Sequence, residues 1–433
     1  MKKISLSVFF FLILFICENT LFSQTKWTKY ANNPVMVKTN FIWEFFAIGQ
    51  PTCIMENDTF KMWYCAAGID HKGRVFYAHS TDAINWVKHN NGTPVLDVGK
   101  QGEWDMRWLD TPEIVRDSMG YKLYYFGAPT DSSPPIHSAI GLATSSDGIN
   151  WQRDSNNPVL EKGDSTQWDG FWIESPAVLY DENIYKMWYT GVAKDWKIRI
   201  GYATSPDGKV WTKYPLNPVL EVGTAGSWED LWAAVPAVIK TDTLYEMWYS
   251  GISVADKMDD VIDTVRAGYA TSTDGINWNK YFDNPILSSF DLPYDSAGPW
   301  APDVVRDKNE YKMVYETQSG FCLATSPIQT IEENSSSTPI IEYLQLRIYP
   351  NPAITNIIFS LQLNKSANKL NGLTIKIYNI SGKLVKTFPT LQKNKILWDR
   401  KNNSNQKLTS GVYFCNLETE NKIIQTRKLL LLN

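Results

Sequence analysis

A pattern of 60 to 67 residues recurs along the first three quarters of this chain, four times in full and once in halves split between two ends. Its clearest part is an aromatic strand: Met62-Trp63-Tyr64, Leu123-Tyr124-Tyr125, Met187-Trp188-Tyr189, Met247-Trp248-Tyr249 and Met313-Val314-Tyr315. A second part is Ser-x-Asp-x-x-x-Trp, from Ser80 to Trp86, Ser145 to Trp151, Ser205 to Trp211 and Ser272 to Trp278. A third is Asn-Pro-Val or a near copy, at Asn33, Thr93, Asn157, Asn217 and Asn284. Repeats of this length, each holding about four short strands, predict the blades of a β-propeller.

The split copy predicts how the ring closes. Leu323-Ala324-Thr325-Ser326 matches Tyr202-Ala203-Thr204-Ser205, but the outer strand with its Trp does not follow. It stands near the start of the chain, as Lys26-Trp27-Thr28-Lys29-Tyr30. The first strand is therefore expected to complete the last of five blades, which removes the open edges of a linear array.

Residues 1–23 read as a secretory signal: Lys2 and Lys3 precede the apolar run Val8 to Ile16, and Ser23-Gln24 fits a cleavage point. The run is too short to span a bilayer. The mature chain is thus expected to be exported through the periplasm. Of five cysteines, Cys17 leaves with the signal, and Cys53 and Cys65 flank one predicted hairpin. A disulfide between them and a pair of buried thiols both fit an exported protein. No cysteine or histidine spacing matches a metal site.

Charge divides the chain. Residues 347–433 carry 14 Lys and Arg against 3 Asp and Glu, a net of +11; the whole chain is −4, so residues 1–346 hold −15. An acidic propeller argues against a nucleic-acid partner. Eighteen Trp and 22 Tyr supply flat apolar faces that suit sugar rings, so a neutral oligo- or polysaccharide is the expected ligand.

The repeat ends near residue 328, and residues 329–345, with Glu332-Glu333-Asn334-Ser335-Ser336-Ser337-Thr338-Pro339, read as a linker. Residues 346–433 then show period-two apolar strands, such as Leu373 to Ile380 before the turn Ser381-Gly382-Lys383, and predict a small β-sandwich. The expected class is all-β: a five-bladed propeller (24–328) followed by that sandwich. The tail resembles the type A C-terminal sorting domain of the type IX secretion system of Bacteroidetes. Tyr349-Pro350-Asn351-Pro352, Ser381-Gly382-Lys383-Leu384-Val385 and Ser410-Gly411-Val412-Tyr413 carry the resemblance. It implies the secretion machinery as a partner and a destination outside the cell or on its outer surface.

Chemistry is sought where a frame repeats and one position varies. A Pro opens each inner strand: Pro51, Pro112, Pro176, Pro236 and Pro302. Two residues earlier stand Gly49, Asp110, Glu174, Ala234 and Trp300. Adjacent blades two and three thus project acids into one ring, while the Asp of each Ser-x-Asp turn recurs and reads as structural. Half-burial between Trp and Pro raises a carboxyl pKa, and two carboxylates across a sugar-sized pocket are the minimum for glycosidic cleavage.

Here residues 25–328 resemble the five-bladed propeller glycosidases around glycoside hydrolase families 43, 32 and 130. The carriers are Glu174-Ser175-Pro176, similar to the Glu-x-Pro of the family acid, Asp110-Thr111-Pro112, the strand Tyr185 to Gly191 and the turn Thr204 to Gly208. The resemblance implies Glu174 as general acid and Asp110 as the residue that orients it and stabilises charge on the ring. One departure is plain: the blade-one acid of the family is replaced by Gly49-Gln50-Pro51, and Gln50 takes no proton. Asp303, beside blade one, is the expected substitute base, with Glu44 as a weaker one.

Trp108, Trp172, Trp196, Trp300 and Gln50 are expected to contact sugar. Arg107, Arg199 and Arg266 either bind phosphate or an acidic sugar, or pair with loop acids such as Asp195 and Asp263. No cofactor is expected, although Asp259, Asp260 and Asp263 have a spacing that suits Ca²⁺. The reading is a secreted, monomeric inverting glycosidase. Its alternatives are a non-catalytic glycan-binding propeller and a family 130-like phosphorylase.

Overall fold

A computed structural model describes residues 26–328 and 344–432, apart from short segments within each. The signal region and Asp259, Asp260 and Asp263 lie outside the described residues. The chain separates into two compact units, Met1–Thr330 and Ile331–Asn433.

In the first unit each repeat folds as a four-stranded antiparallel blade. Blade two shows the plan: Trp108–Asp117 pairs with Gly120–Ala128, that with Ala139–Ser145, and that with Gln152–Arg153. The first strands of the blades are Ala47–Glu56, Trp108–Asp117, Trp172–Asp181, Trp232–Thr241 and Trp300–Asp307. Each packs against the next and the last against the first, so the five close a ring. Thr28 and Lys29 pair with Thr325 and Ala324, supplying the outer strand of blade five from the start of the chain.

Three repeated contacts explain the sequence pattern. The Asn of Asn-Pro-Val pairs with both backbone groups of one third-strand residue. Asn33 Oδ1 accepts from Leu323 N at 2.8 Å, and its Nδ2 donates to Leu323 O at 2.9 Å. Asn157, Asn217 and Asn284 do the same to Leu142, Tyr202 and Tyr269. In the Ser-x-Asp turns, Asp82 Oδ1 accepts from Ile84 N and Asn85 N, both at 2.8 Å, and Asp147 and Asp274 repeat this. These bonds hold all three carboxyls below the usual range. The aromatic strands fill the blade interfaces: Trp63, Trp188 and Trp248 are fully buried, and the Trp63 indole N–H reaches Gly148 O in the next blade at 2.8 Å.

A fourth device sits five residues before the variable ring position in every blade, as Glu44, Asp105, Asp169, Glu229 and Asp295. Each is buried and pairs with a cation from an outer strand: Lys88 at 2.5 Å, Arg153 at 2.8 Å, Lys213 at 2.7 Å, Lys280 at 3.0 Å, and Lys29. A buried charge needs such a partner.

The second unit forms two sheets. One joins Leu344–Tyr349, Ile357–Leu363 and Lys395–Trp398; the other joins Leu384–Phe388, Thr374–Asn379, Gly411–Glu418 and Ile423–Leu431. Alternate residues, including Phe359, Ile375, Ile377, Cys415 and Leu417, form its core.

Candidate active site

Every inner strand carries a bulge at the same place. Register slips between Gly49 and Thr52, Asp110 and Glu113, Glu174 and Ala177, Ala234 and Ala237, and Trp300 and Asp303. The first residue of each bulge is left-handed although none is glycine: Gln50 (φ 54°), Thr111 (44°), Ser175 (49°), Val235 (52°) and Ala301 (46°). Such φ values are costly, most of all for β-branched Thr and Val. The Pro that follows holds the kink, and the bulge re-aims the residues on either side of it.

Before the bulge the ring position lies near the start of each inner strand. Asp110 and Glu174 are both partly exposed there, on neighbouring strands. Asp110 is held from two sides: Trp108 Nε1 donates to Oδ2 at 3.2 Å, and Thr111 N donates to Oδ1 at 2.8 Å. Its pKa is raised by burial against these bonds. Burial, and then the charge of Asp110, push Glu174 up to about 7, while the Trp172 indole opposes the shift. A carboxyl at that value exchanges protons near neutral pH.

A third acid was not expected. Glu316, on the second strand of blade five, is the cross-strand partner of Trp300. Its Oε2 accepts from Gln50 N at 2.9 Å, and burial and Asp110 raise its pKa to about 8. Gly49 makes room for it: a Cβ there would lie 2.6 Å from Glu316 Oε2.

After the bulge, Glu113 and Asp303 face the propeller axis. They help line a cavity of about 30 Å³, whose walls include the five ring prolines. Glu113 accepts from Thr52 Oγ1 at 3.0 Å and from Val178 N at 2.9 Å; Asp303 accepts from Cys53 N at 2.6 Å. Burial raises both, to about 8 and about 7, and Asp303 adds to the rise at Glu113.

Other expected residues divide in the same way. Trp172, Trp232 and Trp300 are half-buried and pack on one apolar cluster, with exposed Trp196 against Trp172. Trp172 lies 5.8 Å from Trp196 and Trp232 lies 6.0 Å from Trp300, centroid to centroid. Gln50 contributes its backbone to Glu316. Arg199 is held by Asp195 at 2.7 Å and Glu221 at 2.9 Å, and Arg266 by Asp256 at 2.5 Å. Arg107 donates to Asp70 O at 3.2 Å. Glu44 is buried among Thr39, Tyr64 and Lys88 and is a structural acid. Cys53 and Cys65 are free buried thiols: Cys53 stands opposite Met62 and Cys65 opposite Gly49. Among the described residues no group of three His, Cys, Asp or Glu is arranged to hold a metal.

Comparison with known proteins places these features. Residues 347–431 match the secretion system C-terminal sorting domain. That domain marks the chain for type IX export to the cell surface or beyond. An uncharacterised protein of Mycobacterium tuberculosis is 28% identical over 230 residues, covering 52% of this chain and 68% of that one. A β-1,2-mannobiose phosphorylase of Thermoanaerobacter sp. is 31% identical over 129 residues, 27% of this chain and 42% of the relative. A solved structure from work on family 130 glycoside hydrolases that target β-1,2 mannosidic linkages in Candida mannan superposes with a TM-score of 0.56. It is 17% identical, with 73% of this chain and 96% of that one covered. The propeller therefore has the fold of glycoside hydrolases and mannoside phosphorylases.

Proposed function

We propose that this exported protein cleaves glycosidic bonds by hydrolysis with inversion. The observation that carries the reading is the position of Glu174: a partly exposed carboxyl on the inner strand next to that of Asp110, raised to about 7 by burial and by Asp110, two residues from Trp172 of a tryptophan-rich cluster. A protonated Glu174 can donate to the leaving oxygen. Asp110, fixed by Trp108 and Thr111, faces the positive charge that develops on the sugar ring. Trp196 and Trp300 offer stacking faces.

A second reading, phosphorolysis, draws on the similarity to the mannobiose phosphorylase. Phosphate needs cations at the site; of the candidates, Arg199 and Arg266 are paired with acids, and Arg107 donates to the Asp70 carbonyl. That favours water as the acceptor.

The test is a panel of aryl glycosides and oligosaccharides, β-mannosides included, offered to the wild type and to Glu174→Gln with and without phosphate. Phosphate-independent release that is lost in the variant supports the proposal. Equal background release by both proteins, with sugar still bound, replaces it with a glycan-binding role. Turnover only with phosphate selects the second reading.

A further inference from the structure

We propose that Glu316 is the third catalytic acid of this site, standing in the space that Gly49 leaves in blade one and taking the proton of the attacking water. The inference rests on the hydrolase reading above.

Three observations carry it. The residue after the Tyr of each second strand varies within a fixed frame: Cys65, Phe126, Thr190, Ser250 and Glu316. In blades three and four this residue captures the N–H of the next blade's left-handed residue. Thr190 Oγ1 accepts from Val235 N at 2.9 Å, and Ser250 Oγ accepts from Ala301 N at 3.0 Å. A hydroxyl is enough for that task. Glu316 performs it for Gln50 with Oε2 alone, and among the described residues Oε1 accepts no protein hydrogen bond. The carboxylate exceeds the structural need by one oxygen.

The second observation is Gly49. Blades two to five carry Asp, Glu, Ala and Trp at the ring position, and only blade one has glycine. The space a side chain would take is filled by the Glu316 carboxylate. The acid missing from blade one in sequence is replaced in space by one from the neighbouring blade.

The third is placement. The Glu316 carboxylate lies at the ring position of blade one. The inner strand of blade one packs against that of blade two, which carries Asp110, and that one packs against the inner strand of blade three, which carries Glu174. Inversion needs its acid and base on opposite sides of the reacting carbon. The reactive form has Glu174 protonated and Glu316 ionised, a minority form because Glu316 is raised further than Glu174; in it, as the water oxygen bonds to the anomeric carbon, its proton passes to Glu316 Oε1. The glycosidic C–O bond breaks, and its oxygen takes the proton of Glu174. Exchange with solvent restores both carboxyls.

The test uses the full chain on the best substrate of the panel. Glu316→Gln should lower kcat by about 10²–10⁴-fold, with KM little changed, and should remove the ascending limb of the pH profile. Gly49→Ala keeps the carboxyl but displaces it, and should lower kcat while sugar binding persists. Azide should restore turnover in Glu316→Ala as a glycosyl azide of inverted configuration. Wild-type kcat and pH profile in Glu316→Gln, full kcat in Gly49→Ala, or absence of azide rescue in a folded, sugar-binding Glu316→Ala would overturn the assignment. Activity lost in Glu174→Gln but kept in Glu316→Gln overturns this inference alone; a wild type inert on every glycoside overturns the hydrolase reading and this inference together.

Discussion

The Trp108 indole and the Asp110 carboxylate, two residues apart on one face of one strand, meet at 3.2 Å. With Thr111 N on the other oxygen, this contact fixes a negative group beside Glu174. Trp108 thus aims the acid that follows it.

The first prediction concerns Asp110→Asn. The substitution keeps shape and removes charge. Activity should fall by about 10²–10³-fold, as when a fixed group facing transition-state charge is lost. The charge of Asp110 raises the Glu174 pKa, so its removal should lower that pKa, and the descending limb of kcat/KM against pH should move to lower pH. An unmoved limb would contradict the coupling.

The axial acids give a stability prediction. Glu113 is raised to about 8 in the folded chain, against about 4.3 for an unfolded Glu. A raised carboxyl favours the fold fully below its unfolded value, and this contribution is lost as pH rises through the folded value. Glu113→Gln stays neutral throughout. Wild-type thermal stability should therefore lose ground to the variant between pH 5 and pH 9; a constant difference in melting temperature would refute the account of the cavity.

Closure of the ring is testable at Asn33, which is buried and pairs with both backbone groups of Leu323. Asn33→Ala leaves those groups without partners, at about 1–3 kcal/mol. Melting temperature should fall by about 2–4 °C for each kcal/mol in a domain of this size class. An unchanged value would mean that the start of the chain does not secure blade five.

Much of this was legible in the sequence because the repeat separates what all blades share from what one blade does alone. Asp110 and Glu174 emerged from that comparison. Glu316 did not, because the comparison covered only the inner strand; the position after each Tyr carries the same signal one strand outward. The same logic would have assigned Glu44, since an acid stands five residues before the ring position in every blade. Of the two alternatives for Cys53 and Cys65, the structure has the buried thiols. The tight turn that pairs Glu56 with Thr59 already sets Cys53 opposite Met62, three positions from Cys65, so the choice depended on the exact turn residues. Asp303 lies beyond its bulge and faces the axial cavity. Arg199 could not be resolved from spacing alone, because the choice between ligand and salt bridge depends on where the loop bearing Asp195 folds back.

The most direct test of the central claim compares leaving groups. General acid help matters most when the departing oxygen is a poor leaving group, so Glu174→Gln should lose about 10²–10⁴-fold on a natural linkage and far less on the matching 2,4-dinitrophenyl glycoside. Equal losses on both substrates, or none on either, would show that Glu174 does not deliver the proton and would contradict the account.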